Sequence, residues 1–121
     1  MRRPLGTFVH ARSGDKGGDA NLGLWVGHDG VSTGSATEGR YDARVAWLLA
    51  LVTPAFVREL LPETADLDVE TFPLPNLGGV NVVVHGLLGR GVAASTRFDP
   101  QAKGLGEWAR ARHVDIPEEL L

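Results

Sequence analysis

The six residues Val80 to His85 constrain the fold more than any other stretch, because four of them are valine and only Asn81 and His85 are polar. β-Branched side chains crowd the turns of a helix and fit a pleated strand. Gly78-Gly79 before the run and Gly86 after it hold it to the length of a strand. So few polar positions predict a central strand covered on both faces. Such a strand needs neighbours on both sides, and the rest of the chain must supply them.

Strand-type runs precede and follow it. Leu5 to Arg12 alternates as a half-buried strand, and Ala20 to Val26 sets Leu22, Leu24 and Val26 on one face. Leu67 to Leu74 reads as a third strand, with Pro73 and Pro75 placing its end at an edge, and Val92 to Phe98 reads as a fifth. Between the first pair and the rest lie two helical segments. Tyr41 to Val52 spaces Val45, Leu48, Leu49 and Val52 along one stripe. Thr53-Pro54 then pairs an N-cap residue with proline at the first helical position, and Pro62 closes the second helix. Asp99-Pro100 repeats that start signal for a last helix, with Leu105, Trp108 and Ala109 inward and Gly104 and Gly106 weakening it. Gly27-His28-Asp29-Gly30 ends the second strand, the following segment to Gly39 reads as a mobile loop, and Ile116 to Leu121 as a short tail.

The order ββ-αα-βββ-α predicts one α+β domain over residues 1–121. Its core is a single antiparallel or mixed sheet of about five strands with helices on one face, a ferredoxin-like arrangement. A sheet covered on one side leaves a second face, and a homo-oligomer is one way to hide it.

Charge and composition exclude several function classes. A net charge of −3 and scattered basic residues give no nucleic-acid footprint. The longest apolar run, Val45 to Val52, is far too short to span a membrane, and the apolar core of a secretory signal is missing after Arg2-Arg3. With no cysteine, thiol catalysis and cysteine metal sites are out, and a cytoplasmic address is the default expectation. No cofactor fingerprint is present: the glycines match neither a P-loop nor a dinucleotide motif.

Chemistry concentrates in His10 to Asn21. His10, Arg12, Ser13, Asp15, Lys16, Asp19 and Asn21 share twelve positions with Gly14, Gly17 and Gly18. A loop of this kind can turn backbone N–H groups toward an anion while Arg12 and Lys16 neutralise it. A charged hairpin whose ion pairs fix only its own shape is the plainer reading. Further along, Asn81, Val83 and His85 share one strand face, and His85 is either a general acid–base or a satisfied core histidine. Asn76 belongs to a Pro-Asn turn or to the site. A metal set drawn from His10, Asp15, Asp19 and His85 has no supporting spacing, and a Ser13–His85–Asp15 relay lacks a nucleophile elbow. His28 and His113 read as surface residues, and Arg97, Asp99 and Lys103 as capping and ion-pairing groups.

Four motifs in order, His10 to Asn21, Leu51 to Val57, Pro75 to His85 and Asp99 to Gly104, resemble the C-terminal domain of the acyclic terpene utilization (AtuA-like) proteins. The family pattern has Asp directly after Gly-Asp-Lys-Gly, where this chain inserts Gly18, and a small residue where this chain has Arg90. The resemblance implies a ferredoxin-fold unit, here in its stand-alone form, set in the breakdown of acyclic terpenoids and branched acids as CoA thioesters. It names a setting, not a reaction. It implies a small subunit or accessory domain whose partner is a larger AtuA-like chain and whose ligand is an acyl-CoA or carboxylate. Arg12, Ser13, Gly14, Lys16, Gly17, Asp19, Asn21, Asn76 and Asn81 would then bind, and His10, Asp15 or His85 would move protons. A non-catalytic oligomerisation module and a self-sufficient metal or acid–base enzyme are the alternatives.

Overall fold

The computed structural model of the chain describes residues 1–27, 35–87 and 104–121. The expected fifth strand, the Asp99-Pro100 helix start, His28, Arg90, Arg97 and Lys103 lie outside them.

Four antiparallel strands make the main sheet: β2 (Val9–Lys16), β3 (Asp19–Val26), β4 (Val69–Leu74) and β5 (Gly79–Val84), in the order β2-β3-β5-β4. Two hairpins are thus joined through their second strands. Between them run α1 (Ser35–Leu51) and α2 (Pro54–Leu60), and α3 (Leu105–Ala111) follows. A separate two-stranded ribbon pairs β1 (Arg2–Pro4) with β6 (His113–Asp115). The fold is α+β and ferredoxin-like, with antiparallel sheets.

The Thr53 signal holds: its hydroxyl accepts a hydrogen bond from Phe56 N–H at 3.1 Å, with Pro54 opening α2. Pro73 likewise sits on β4, at a sheet edge where a missing N–H costs no ladder bond. The helices all cover one face. α1 packs on β3 and β5, α2 on β4 and α3 on β2. Together with Ala20, Leu22, Leu24 and Val26 of β3 and Val80, Val82 and Val84 of β5, they bury one apolar cluster.

Five expectations need correcting. α1 begins at Ser35, inside the stretch to Gly39 that reads as a loop. Leu5 to Thr7 is a 3-10 turn rather than strand; it carries Leu5 into the core, where its N–H meets Arg112 C=O at 2.8 Å. The polar stretch from His10 is not a loop: β2 runs on to Lys16, and only Gly17-Gly18 separates it from β3. Gly17 takes φ +63°, which the tight turn requires and L side chains resist. β5 is central, but the described elements cover it on one side only: Asn81 and Val83 face away from the helices and remain partly accessible. Trp108 is 61% exposed, because the buried stripe of α3 runs through Leu105, Gly106 and Ala109 and passes it by.

The C-terminal residues pack rather than fray. Ile116 and Leu120 are buried, and Arg44, itself buried, donates from Nε to Leu120 C=O at 2.7 Å while its guanidinium covers the Phe8 ring. No helix among the described residues is long and apolar enough to cross a membrane.

Candidate functional site on the open sheet face

Residues opposite one another across an antiparallel ladder share a face, so the register sorts every candidate. On the face away from the helices, His10, Trp25, Gly79 and Leu74 form one row across the sheet. Arg12, Gly23, Asn81 and Phe72 form the next, followed by Gly14, Asn21, Val83 and Glu70. Lys16 pairs with Asp19 beside the turn, and His85, next after β5, bonds through its N–H to Asp68 C=O at 2.9 Å. Ser13 and Asp15 pair with Leu22 and Ala20 and so belong to the other face.

The face has a charged end and an apolar end. At the charged end His85 lies between two carboxylates: Nδ1 is 3.0 Å from Asp19 Oδ2 and Nε2 is 2.6 Å from Glu70 Oε1. The other oxygen of Asp19 accepts from Gly86 N–H at 2.8 Å, which fixes that carboxylate to the backbone after β5. An imidazole can donate from both nitrogens only when protonated. Hydrogen bonds to Glu70 first and Asp19 second hold the His85 pKa above the usual histidine value; desolvation opposes them, and the negative charges of the two carboxylates add smaller contributions. His85 is therefore not a core histidine. Asp68 joins the group, with one ligand-type atom each from Asp68, Glu70 and His85 lying within 4.8 Å of one another.

Midway, Asn21 Nδ2 donates to Asn81 Oδ1 at 2.9 Å, a polar cross-strand pair. At the far end, a groove of about 430 Å³ is lined by Trp25, Phe72, Leu74, Leu77, Gly23 and Asn81, among others. The His10 ring stacks on the Trp25 indole, centroids 5.8 Å apart and planes 24° off parallel. Arg12 is exposed beside Gly23, and its side chain makes no hydrogen bond or ion pair among the described residues.

The structure thus gathers His10, Arg12, Gly14, Asp19, Asn21, Asn81 and His85 on one surface, at its two ends and middle. It separates Ser13, Asp15 and Asn76. Ser13 Oγ accepts from Gly106 N–H at 2.8 Å, capping the first turn of α3 from a neighbouring strand. Glycine at 106 eases that close approach, since a Cβ there would stand 3.2 Å from the Ala11 Cβ, tighter than ordinary contact. Asp15 is exposed on the helix side, and Asn76 is an exposed residue of the 3-10 turn Pro75–Leu77. Neither the Ser13–His85–Asp15 relay nor the His10–Asp15–Asp19–His85 metal set is assembled, because strand alternation divides their members between faces and ends. His113 begins β6 and is exposed, as expected.

Sequence reasoning missed Asp68, Glu70, Trp25, Phe72, Leu74 and Leu77. A signal existed for the first two: Asp68 and Glu70 flank the inward Val69, and period-two alternation puts both carboxylates opposite to it.

A family model, the AtuA ferredoxin-like domain, matches residues 3–115. Comparison with curated proteins and with solved structures finds no match. Covering nearly the whole chain and agreeing with the antiparallel α+β architecture, the match shows that this chain belongs to the AtuA ferredoxin-like domain family.

Proposed function

We propose that the chain is a ligand-binding accessory subunit of an AtuA-like system, and that its open sheet face takes an acid with an apolar tail, or the CoA thioester of one. One observation carries the reading. Of the six large apolar side chains exposed among the described residues, four (Trp25, Phe72, Leu74 and Leu77) border a single groove, with the exposed guanidinium-bearing Arg12 next to it. Exposed apolar surface concentrated in a concavity marks a binding site rather than ordinary surface scatter. A guanidinium offers carboxylate or phosphate a planar fork of donors. The groove would take the hydrocarbon, Arg12 the anion, and the Asn21–Asn81 pair the polar atoms between.

The groove opens along one face of a thin sheet, so water reaches a ligand from the outer side. A larger AtuA-like chain closing over that face would complete the enclosure and supply the catalytic groups.

Thermal shift of the purified chain against branched-chain carboxylates, their CoA thioesters, free CoA and phosphate tests the reading. A ligand that binds only the native state stabilises it, by about 2.7 kcal/mol at a hundred times its Kd. The expected result is a rise in Tm that grows with tail length and disappears in Arg12→Ala. If no acid or thioester raises Tm, while a Trp25→Ser, Phe72→Ser pair changes the oligomeric state by light scattering, the face serves assembly of copies of this chain instead.

A further inference from the structure

We propose that Asp68, Glu70 and His85 bind a divalent first-row transition-metal ion of the Mn²⁺ to Zn²⁺ series, with Asp19 as the outer carboxylate that orients the histidine. The proposal concerns the charged end of the open face and stands whether or not the groove takes an acyl ligand.

The three ligand atoms already lie within 4.8 Å of one another. Metal–ligand bonds of about 2.0–2.2 Å set neighbouring donors roughly 3–3.5 Å apart, so modest side-chain rotations of two exposed carboxylates close the set. Their backbones are fixed by the ladder: Glu70 pairs with Val83, and the His85 N–H bonds Asp68 C=O at 2.9 Å. Sites built on strands hold their geometry better than sites on loops.

The histidine distinguishes this group from a patch of surface acids. Asp19 Oδ2 faces Nδ1 at 3.0 Å, and Asp19 is itself held by Gly86 N–H at 2.8 Å. A carboxylate on Nδ1–H selects the tautomer whose lone pair is on Nε2, and it fixes the ring plane. Metal-ligating histidines are oriented in this way by a carboxylate or carbonyl on their far nitrogen. Nε2 points at Glu70 Oε1, 2.6 Å away, so the lone pair is directed into the carboxylate pair where a cation would sit. In the metal-free protein a proton occupies that place. A metal ion would take its position between Nε2 and Glu70, with Asp68 as third ligand and water in the open positions.

The donor set also selects the ion. Two carboxylates and one imidazole fall short of the 6–8 oxygens that Ca²⁺ takes, and Mg²⁺ prefers oxygen and its own water. Imidazole suits Zn²⁺ and Fe²⁺, and the two carboxylates also suit Mn²⁺. Spacing in the sequence could not show this, because the ligands come together only when β4 and β5 pair.

The test is calorimetric titration of the EDTA-treated full chain with ZnCl₂, MnCl₂ and MgCl₂, in parallel with Tm. The expected result is one Zn²⁺ or Mn²⁺ per chain, a raised Tm and much weaker Mg²⁺ binding. Glu70→Gln and His85→Gln should each lose tenfold or more in Zn²⁺ affinity, and Asp19→Asn about 10- to 100-fold. His113→Gln, which removes an exposed histidine elsewhere, should bind as the parent does. Circular dichroism of each metal-free variant checks that it is folded. Three results would overturn the proposal: no stoichiometric binding in the folded parent, unchanged affinity in folded Glu70→Gln and His85→Gln, or Mg²⁺ bound as tightly as Zn²⁺.

Discussion

The two faces of the four-stranded sheet are made by the same strands one residue out of phase, and they differ in almost every physical property. Toward the helices, Leu22, Val82 and Val84 are wholly buried and Leu24 and Val80 nearly so. Toward the outside, the intervening positions carry Arg12, Asn21, Glu70 and His85 along with half-exposed Trp25 and Phe72. Antiparallel sheets often leave one face in water, and an alternation of apolar and polar residues is then enough. Here the outer face departs from that pattern, with an apolar groove at one end and a histidine between carboxylates at the other. The covered face carries the stability of the domain, and the outer face is free to carry its chemistry.

Substitutions at adjacent rungs should separate these two roles. Leu22→Ala removes a fully buried side chain and should destabilise the protein by about 2–5 kcal/mol. Val83→Ala, on the outer face of the neighbouring strand, should cost about 1 kcal/mol or less, mainly lost strand preference. Urea denaturation measures both. Comparable losses would break the contrast, since they would mean that the outer face is buried in solution against another surface.

A finer version of the comparison uses two consecutive residues of β2. Ser13 caps α3 through Gly106, and its replacement by Ala should cost about 1 kcal/mol. Arg12, exposed on the other face, should change stability by less than about 0.5 kcal/mol when replaced by Ala. The pair is informative because sequence reasoning grouped both as ligand-binding residues of one loop. If Arg12→Ala destabilised as much as Ser13→Ala, Arg12 would have a structural partner and its assignment to an anion would fall.

Those two residues also show what was legible before the structure. The apolar alternation of β3, the valine run of β5, the stripe of α1 and the Thr53-Pro54 cap are local signals, and each led to the right element. β2 carried no such signal beyond Val9 and Ala11, because its outer face is polar and its inner positions Ser13 and Asp15 sit at a sheet edge where burial fades. Polar composition therefore read as loop, although Gly17-Gly18 between two equal runs is a hairpin signature. His85 and Asp19 are both candidates in the sequence, but they are distant along the chain and only the β3–β5 register puts them in contact. Trp108 differs: the buried stripe of α3 runs through Leu105, Ala109 and Gly106, and Trp108 lies on the opposite flank of Leu105.

The smallest expected effect distinguishes the faces by pH. Among the described residues the covered face buries no histidine or carboxylate, whereas the outer face carries His85. Glu70 and Asp19 raise its folded pKa above the unfolded value of about 6.5, so between those two values the native state holds a proton that the unfolded state has lost. Stability from this group is therefore fully present below about pH 6.5 and declines as pH rises through the folded pKa. Because His85 and both carboxylates are substantially exposed, solvent screening keeps the effect small. Urea midpoints measured in EDTA from pH 5.5 to 9 should show the parent losing stability relative to His85→Asn across that window, with the difference flat below it. Parallel curves over the whole range would mean that the carboxylates do not hold the imidazolium in solution, and the charged end of the outer face would be no more than exposed side chains.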